Sequence, residues 1–270
     1  MKSAVSRAVV AVSVVAALGA SAACSGDGGG DDGGRRSKPS GGAAARLEKA
    51  ALTSGDVKGF EVEKPRSSGG ARGAEGSQAG GEPPAGTPAP AECAPLAAPA
   101  ASTRTAVKAS VKAPVKAHVS RVSRTLTATS DKDVTTTEVG LSGSTEADAK
   151  RAMAELRAAA KSKRCGSFHI GARRYLGVEH LPAPDEGDEA VSYKIAHRTG
   201  DYVARHSVTV VRSGSTLAVF DASNLYDPEG VQSDREAEKD GLGGAGTPTA
   251  DEAPKVSPRI VDAQLAKLAR

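Results

Sequence analysis

The sequence predicts an α+β fold: an antiparallel sheet ending in a β-meander in the C-terminal half, with helices packed on one face and a disulfide tying the parts together. Three observations carry this. Three runs of alternating polar and apolar residues, Glu189–Arg198, Tyr202–Arg212 and Ser215–Ser223, follow one another with Thr199-Gly200 and Ser213-Gly214 between them. Upstream, Ser144–Arg164 has a single apolar stripe at helical spacing. Cys93 and Cys165 flank the segment that holds this helix.

The chain opens on a leader. Met1–Arg7 carries Lys2 and Arg7 and no acid, and Ala8–Ala20 is apolar apart from Ser13 and Gly19. Small residues, Ser21-Ala22-Ala23, then precede Cys24. That order of basic, apolar and small residues is a secretory signal peptide over residues 1–23. The apolar run is shorter than the roughly 20 residues a membrane span needs. Two cleavage readings fit the same residues. In one, a lipoprotein signal peptidase cuts before Cys24, whose thiol then carries lipid. In the other, an ordinary signal peptidase frees the chain. Ser21 weighs against lipidation, because a leucine is commoner at that position. Two features weigh for it: Cys24 is followed by the polar tether SGDGGGDDGG, and it is the odd cysteine beside an even pair. Lipidation at Cys24 places the protein on the outer face of a bacterial cytoplasmic membrane, with the bilayer as its first partner.

Residues 24–42 read as a lipidated flexible tether, and residues 43–270 as one domain. The chain has 270 residues but only seven aromatics, no Trp, 31 Gly and 15 Pro, so much of it is poor core material. Disordered insertions are expected near residues 64–92 and 227–256, where Gly, Pro and polar residues gather without apolar periodicity. The net charge of +4 falls by two when Lys2 and Arg7 leave with the signal peptide. So balanced a chain points to no polyanionic partner and no nucleic acid.

From Ala43 a helix is expected, with Leu47, Ala50 and Ala51 on one face and Thr53-Ser54-Gly55 as its stop. Val57–Glu63 has the length of one short strand. Arg104–Arg124 is ambiguous. Val107, Val111, Val115 and Val119 recur every four residues, yet Pro114 would break a helix there. The stretch holds six Lys or Arg and no acid, which suits either anionic headgroups or a solvated basic face. Asp133–Leu141, rich in Val and Thr, reads as a strand. In the helix that follows, Ser144 or Thr145 caps, Glu146 and Asp148 sit in the first turn, and Lys161, Lys163 and Arg164 in the last. Ala149, Met153, Leu156 and Ala160 form its stripe. Ser167–Ile170 and Tyr175–Leu181 precede the meander. If Thr199-Gly200 and Ser213-Gly214 are the two-residue turns, Val191 pairs with Val208 and Val219, and Tyr193 with His206 and Asp221. One face then presents Val191, Tyr193, Ile195, Val208, Val210, Leu217 and Val219 to the Ser144 helix. Asp227–Pro254 reads as a loop, and Ser257-Pro258 starts a last helix docked by Val261, Leu265 and Leu268.

Four sets of residues bear on chemistry. In an exported chain Cys93 and Cys165 are expected to form a disulfide, since no CxxC or Cys/His cluster offers a metal site. Tyr193, His206 and Asp221 form a candidate ligand cleft, because Asp can orient His and Tyr can bond a ligand. No nucleophile accompanies them, so they can equally be a structural cross-strand row. The five histidines show no metal-binding spacing, and no GxSxG is present. Asp185-Glu186-Gly187-Asp188-Glu189 reads as an acidic turn, with Ca²⁺ binding as its rival. No cofactor and no enzymatic activity are expected.

Several short segments carry a family resemblance: Cys93-Ala94-Pro95-Leu96, the strand Thr135–Leu141, Ala152–Arg157, Cys165-Gly166-Ser167-Phe168, Gly187–Val191, Val211–Ala218 and Ala263–Leu268. In this order, behind a tether and a helix, they resemble actinobacterial lipoproteins similar to the PknH-like extracellular sensor domain of membrane serine/threonine kinases. The resemblance covers Ala43–Arg270 and implies an α+β domain enclosing a cleft for a small ligand. Such domains often carry two disulfides, and here only Cys93–Cys165 can form. The family supplies no catalytic residues. The function expected is therefore a sensor-like lipoprotein binding a small or lipidic envelope ligand, with a non-catalytic surface lipoprotein that recruits an envelope protein as the alternative.

Overall fold

A computed structural model describes residues 41–64, 86–100, 120–130 and 134–270. The expected signal peptide, Cys24 and the expected tether as far as residue 40, most of the insertion expected near 64–92 and the basic run from Arg104 to Val119 lie outside the described residues.

Nine strands form one antiparallel sheet in the order β1-β3-β4-β9-β8-β7-β6-β5-β2. They are β1 (Phe60–Glu63), β2 (Pro88–Ala89), β3 (Ser120–Ala128), β4 (Thr136–Gly143), β5 (Ser167–Ile170), β6 (Arg173–Leu181), β7 (Glu189–Thr199), β8 (Tyr202–Ser213) and β9 (Thr216–Tyr226). Five α-helices accompany them among the described residues: α1 (Gly41–Ala50), α2 (Ala94–Ala100), α3 (Glu146–Lys161), α4 (Pro228–Lys239) and α5 (Pro258–Leu268). The fold is α+β, and β7–β9 form the expected C-terminal meander.

The meander registers differ from expectation by two residues. Val191 pairs with Val210, and Val210 with Val219; Tyr193 pairs with Val208, and Val208 with Asp221. The cause is local. The turn residues are Gly200-Asp201 and Gly214-Ser215, one step later than expected, because each glycine takes the first loop position, at φ +61° and +58°. Two-residue hairpin turns need positive φ there. A slip of two preserves the side-chain alternation, so the expected core face is intact.

That face is covered by α3, as expected, and by α2. Val191, Tyr193, Ile195, Val208 and Val210 pack with Met153, Leu156, Ala159 and Ala160 of α3 and Leu96 of α2. Thr145 caps α3 by accepting from the Asp148 N–H. The second face is covered too, so the helices do not all lie on one face. Val211, Ala218 and Phe220 pack with Leu47 of α1 and Ile260 and Val261 of α5. Gln264 of α5 is fully buried there and donates to the Ala50 carbonyl at 2.8 Å.

Two further expectations are corrected. The described end of the basic stretch, Ser120–Arg124, is strand. Arg124 is buried on β3, donating to the Leu52 carbonyl at 2.9 Å and to Glu48 at 2.8 Å. And residues 227–256 hold a helix. Asp227 caps α4 by accepting from the Glu229 N–H, and Pro228 opens it. Only Val231 of α4 is buried, which is why no apolar stripe betrayed it. The strap after α4 is held by distant side chains: Arg205 donates to the carbonyls of Thr249, Ala250 and Glu252, and Asp234 accepts from the Ala245 and Thr247 N–H groups. At the other insertion, Pro88–Ala89 pair with His169 and Ile170, so its last residues belong to the sheet edge.

Candidate functional site

Cys93 and Cys165 are bonded, both fully buried, with Cα atoms 5.5 Å apart. The bridge joins the start of α2 to the turn after α3, the two elements that cover the first face. Neither sulfur is available for chemistry.

Tyr193, His206 and Asp221 all lie on that first face, but not in one row and not with one role. Tyr193 has no exposed surface, and its hydroxyl donates to the Leu96 carbonyl at 3.0 Å. It anchors α2 to the sheet and offers nothing to a ligand. His206 stands opposite Ser223, and Asp221 opposite Val208, one rung along. They still meet diagonally, His206 Nδ1 lying 3.0 Å from Asp221 Oδ1 and 3.3 Å from Oδ2. A carboxylate only accepts, so Nδ1 carries the proton.

Three residues outside the expected set extend this pair into a polar row across five strands. Glu138 of β4 pairs with Asp221 of β9. His197 of β7 stacks on His206 of β8, ring centroids 5.5 Å apart and planes within 16°. Tyr175 of β6 pairs with His197, centroids 5.3 Å apart, and stacks on Phe168 of β5 at 5.0 Å. Turn spacing alone could not reveal these neighbours. A bulge between Leu176 and Glu179 shifts the β6–β7 register, and β4 reaches β9 only after four intervening strands of chain.

Burial and neighbours set the protonation of the row. Burial would push the His206 imidazole down, but the Asp221 charge and hydrogen bond, helped by Glu138, outweigh it, and the net shift is upward. Burial, then the charge of His206, then that of Arg173 push His197 down to about 4. Burial and then Asp221 raise the Glu138 carboxyl. Burial raises the Tyr175 phenol, against the Arg173 guanidinium beside it. The arrangement is an Asp-oriented histidine to which no nucleophile is hydrogen-bonded among the described residues. Ser223 faces His206 in register, yet its Oγ donates to the Thr136 carbonyl at 3.5 Å.

The acidic turn serves structure. Asp188 and Glu189 both accept from Arg212, at 2.8 and 2.9 Å, and Glu189 also from Arg157. Among the described residues no group of three His, Cys, Asp or Glu is placed to hold a metal ion.

On the second face lies a groove of about 320 Å³. Its floor is Ser192 and Thr209, whose hydroxyls bond each other at 2.8 Å. Pro182, Ala183 and Pro184 form one wall; Val256, Pro258 and Val261 form the other. It therefore lies between the meander and α5.

The geometry defines a one-sheet α+β protein with a meander-side groove and a buried polar row. No protein-family model matches the chain, and no curated protein does. Among the described residues no helix is long and apolar enough to cross a membrane.

Proposed function

We propose that this chain is an extracytoplasmic lipoprotein, anchored through Cys24, whose sensor-like domain binds a small or lipidic envelope ligand. The bases of the anchor are the basic, apolar and small residues of the leader, ending at Cys24. The observation that carries the binding role is the groove between β7, β8 and α5, whose largely apolar walls also carry Glu186 and Asp262 over the Ser192–Thr209 floor. Such sites bury an apolar body and orient it with a few polar groups. The resemblance to PknH-like sensor domains implies a cleft for a small ligand. No nucleophile is bonded to His206 among the described residues, so the reading is of binding without catalysis.

The test is native mass spectrometry of the mature protein from its own kind of host, beside an Ala183→Trp variant that fills the groove. The expected result is a non-covalent adduct on the wild type that the variant lacks. A clean mass for both, or an adduct indifferent to Ala183→Trp, would sink the groove assignment.

A further inference from the structure

Two acidic residues, Glu186 and Asp262, line the groove between the meander and α5, and no Lys, Arg or His does. Neither carboxylate is hydrogen-bonded or ion-paired to another described residue. The cations of this region are engaged elsewhere or stand outside the lining. Lys194, two residues from Ser192 on the same face of β7, is held by Glu179 at 2.7 Å. Arg212, which reaches the acidic turn that contains Glu186, is held there by Asp188 at 2.8 Å and Glu189 at 2.9 Å. Lys255 and Arg259 adjoin Val256 and Pro258 in the chain but do not line the groove.

The walls are also short of donors. Pro182, Pro184 and Pro258 have no backbone N–H. At the α5 end the N–H groups of Ile260 and Val261 bond the Ser257 carbonyl, at 3.0 and 3.3 Å, so the helix start offers an anion little. The floor has no preference of its own. Ser192 and Thr209 share one hydrogen bond, which leaves them one hydroxyl proton and free lone pairs for a donor or an acceptor alike. The charge preference of the groove therefore comes from Glu186 and Asp262.

We infer that the groove takes an aliphatic molecule ending in an ammonium group, with its chain against Ala183, Val256 and Val261 and its cation held by Glu186 and Asp262. The inference rests on the reading of the groove as the ligand site and adds the charge of what it holds. A volume of about 320 Å³ is at the small end for small-molecule sites, which suits a single chain and not a peptide. An ammonium meets two attractions there and a carboxylate two repulsions, while an alcohol meets neither. Glu186 and Asp262 are exposed, so the attraction is screened by salt, and binding weakens as ionic strength rises.

The experiment uses the full chain with Cys24→Ala, so that no attached lipid competes. Octylammonium, octanoate and octanol are titrated separately at one low ionic strength, and the methyl shifts of Val256 and Val261 are read. Octylammonium is expected to saturate about tenfold below octanol, as two surface ion pairs allow, and octanoate to bind more weakly than either. Glu186→Gln with Asp262→Asn should bring octylammonium to the octanol value and leave octanol unchanged. Ala183→Trp should abolish saturation. Octanol or octanoate binding as tightly as octylammonium, in a manner that Ala183→Trp abolishes, would overturn the cation and leave the groove standing. So would octylammonium binding that the double carboxylate variant leaves unchanged. Strictly linear shifts with all three probes, or saturation indifferent to Ala183→Trp, would overturn the groove and the cation together.

Discussion

His206 donates from Nδ1 to Asp221 Oδ1 at 3.0 Å although the two residues are not opposite each other in the sheet: His206 faces Ser223, and Asp221 faces Val208. The contact links β8 and β9 beyond their backbone ladder.

Removing the acid should expose what the pair contributes. Asp221 keeps 8% of its side-chain surface and His206 11%, so solvent screens the pair little. Asp221→Ala strands a buried imidazole and is expected to cost about 3 kcal/mol in urea unfolding. The pH dependence has a definite sign. The folded His206 pKa lies above its ordinary value of about 6.5, so its contribution is complete below pH 6.5. It is lost as pH rises through the raised folded value. Wild type and Asp221→Asn should therefore converge in stability on the alkaline side. A gap that stays constant with pH would show that charge plays no part.

His197 has the opposite sign. Its folded pKa is pushed down to about 4, first by burial, so the unfolded chain takes up a proton that the fold refuses. Stability should fall as pH drops from about 6.5 toward 4, by roughly 2–3 kcal/mol from this residue alone. Melting temperatures of wild type and His197→Phe measured across that window check this. The variant keeps an aromatic ring to lie against His206 and Tyr175 and should lose most of the acid-induced drop.

How much of this was legible in the sequence depends on what each feature rests on. Alternation marked the core face of β7–β9 correctly even though the registers were two residues out, because the period of a strand is two. The stripe Ala149, Met153, Leu156 and Ala160 identified α3 because each residue really is buried. Other features rest on distant partners that no local pattern displays. Tyr193 reads as a site residue until its hydroxyl is seen to bond Leu96, 97 positions away. Arg124 reads as surface charge until α1 supplies Glu48 and the turn after it supplies the Leu52 carbonyl. Glu138 and Tyr175 join the polar row only through the β4–β9 and β6–β7 registers, which no hairpin length specifies, while His197 meets His206 across the β7–β8 hairpin once its register is moved by two.

The disulfide should be the largest single covalent contribution. It closes a loop of 72 residues, for which the chain-entropy treatment gives about 4 kcal/mol. Since it also holds α2 against α3, its loss should loosen the Tyr193–Leu96 contact. Replacing both Cys93 and Cys165 by Ala is expected to lower the unfolding free energy by that order. A double variant as stable as the wild type would mean that packing around Leu96 and Met153 suffices without the bridge.

Arg205 makes the last prediction. One guanidinium gathers three strap carbonyls, of Thr249 at 2.9 Å, Ala250 at 3.1 Å and Glu252 at 2.9 Å, while its Nε donates to Asn224 at 3.0 Å. The guanidinium carbon lies over the Tyr226 ring, 5.2 Å from its centroid, in a cation–π contact. No apolar residue of the segment Thr249–Glu252 is buried, so the strap there depends on these bonds. Arg205→Met preserves the stem but removes every donor. It should speed amide exchange and proteolysis at residues 245–252 by at least tenfold, while global unfolding shifts by only about 1 kcal/mol. Arg205→Lys should rescue little, because an ammonium cannot present the planar fork. Since Val256 on the same strap forms part of the groove wall, exchange at Val256 should rise in the same variants. If exchange rises only at Thr249–Glu252, the wall is held by α5 and Pro258 instead, and the groove keeps its shape when the strap is released.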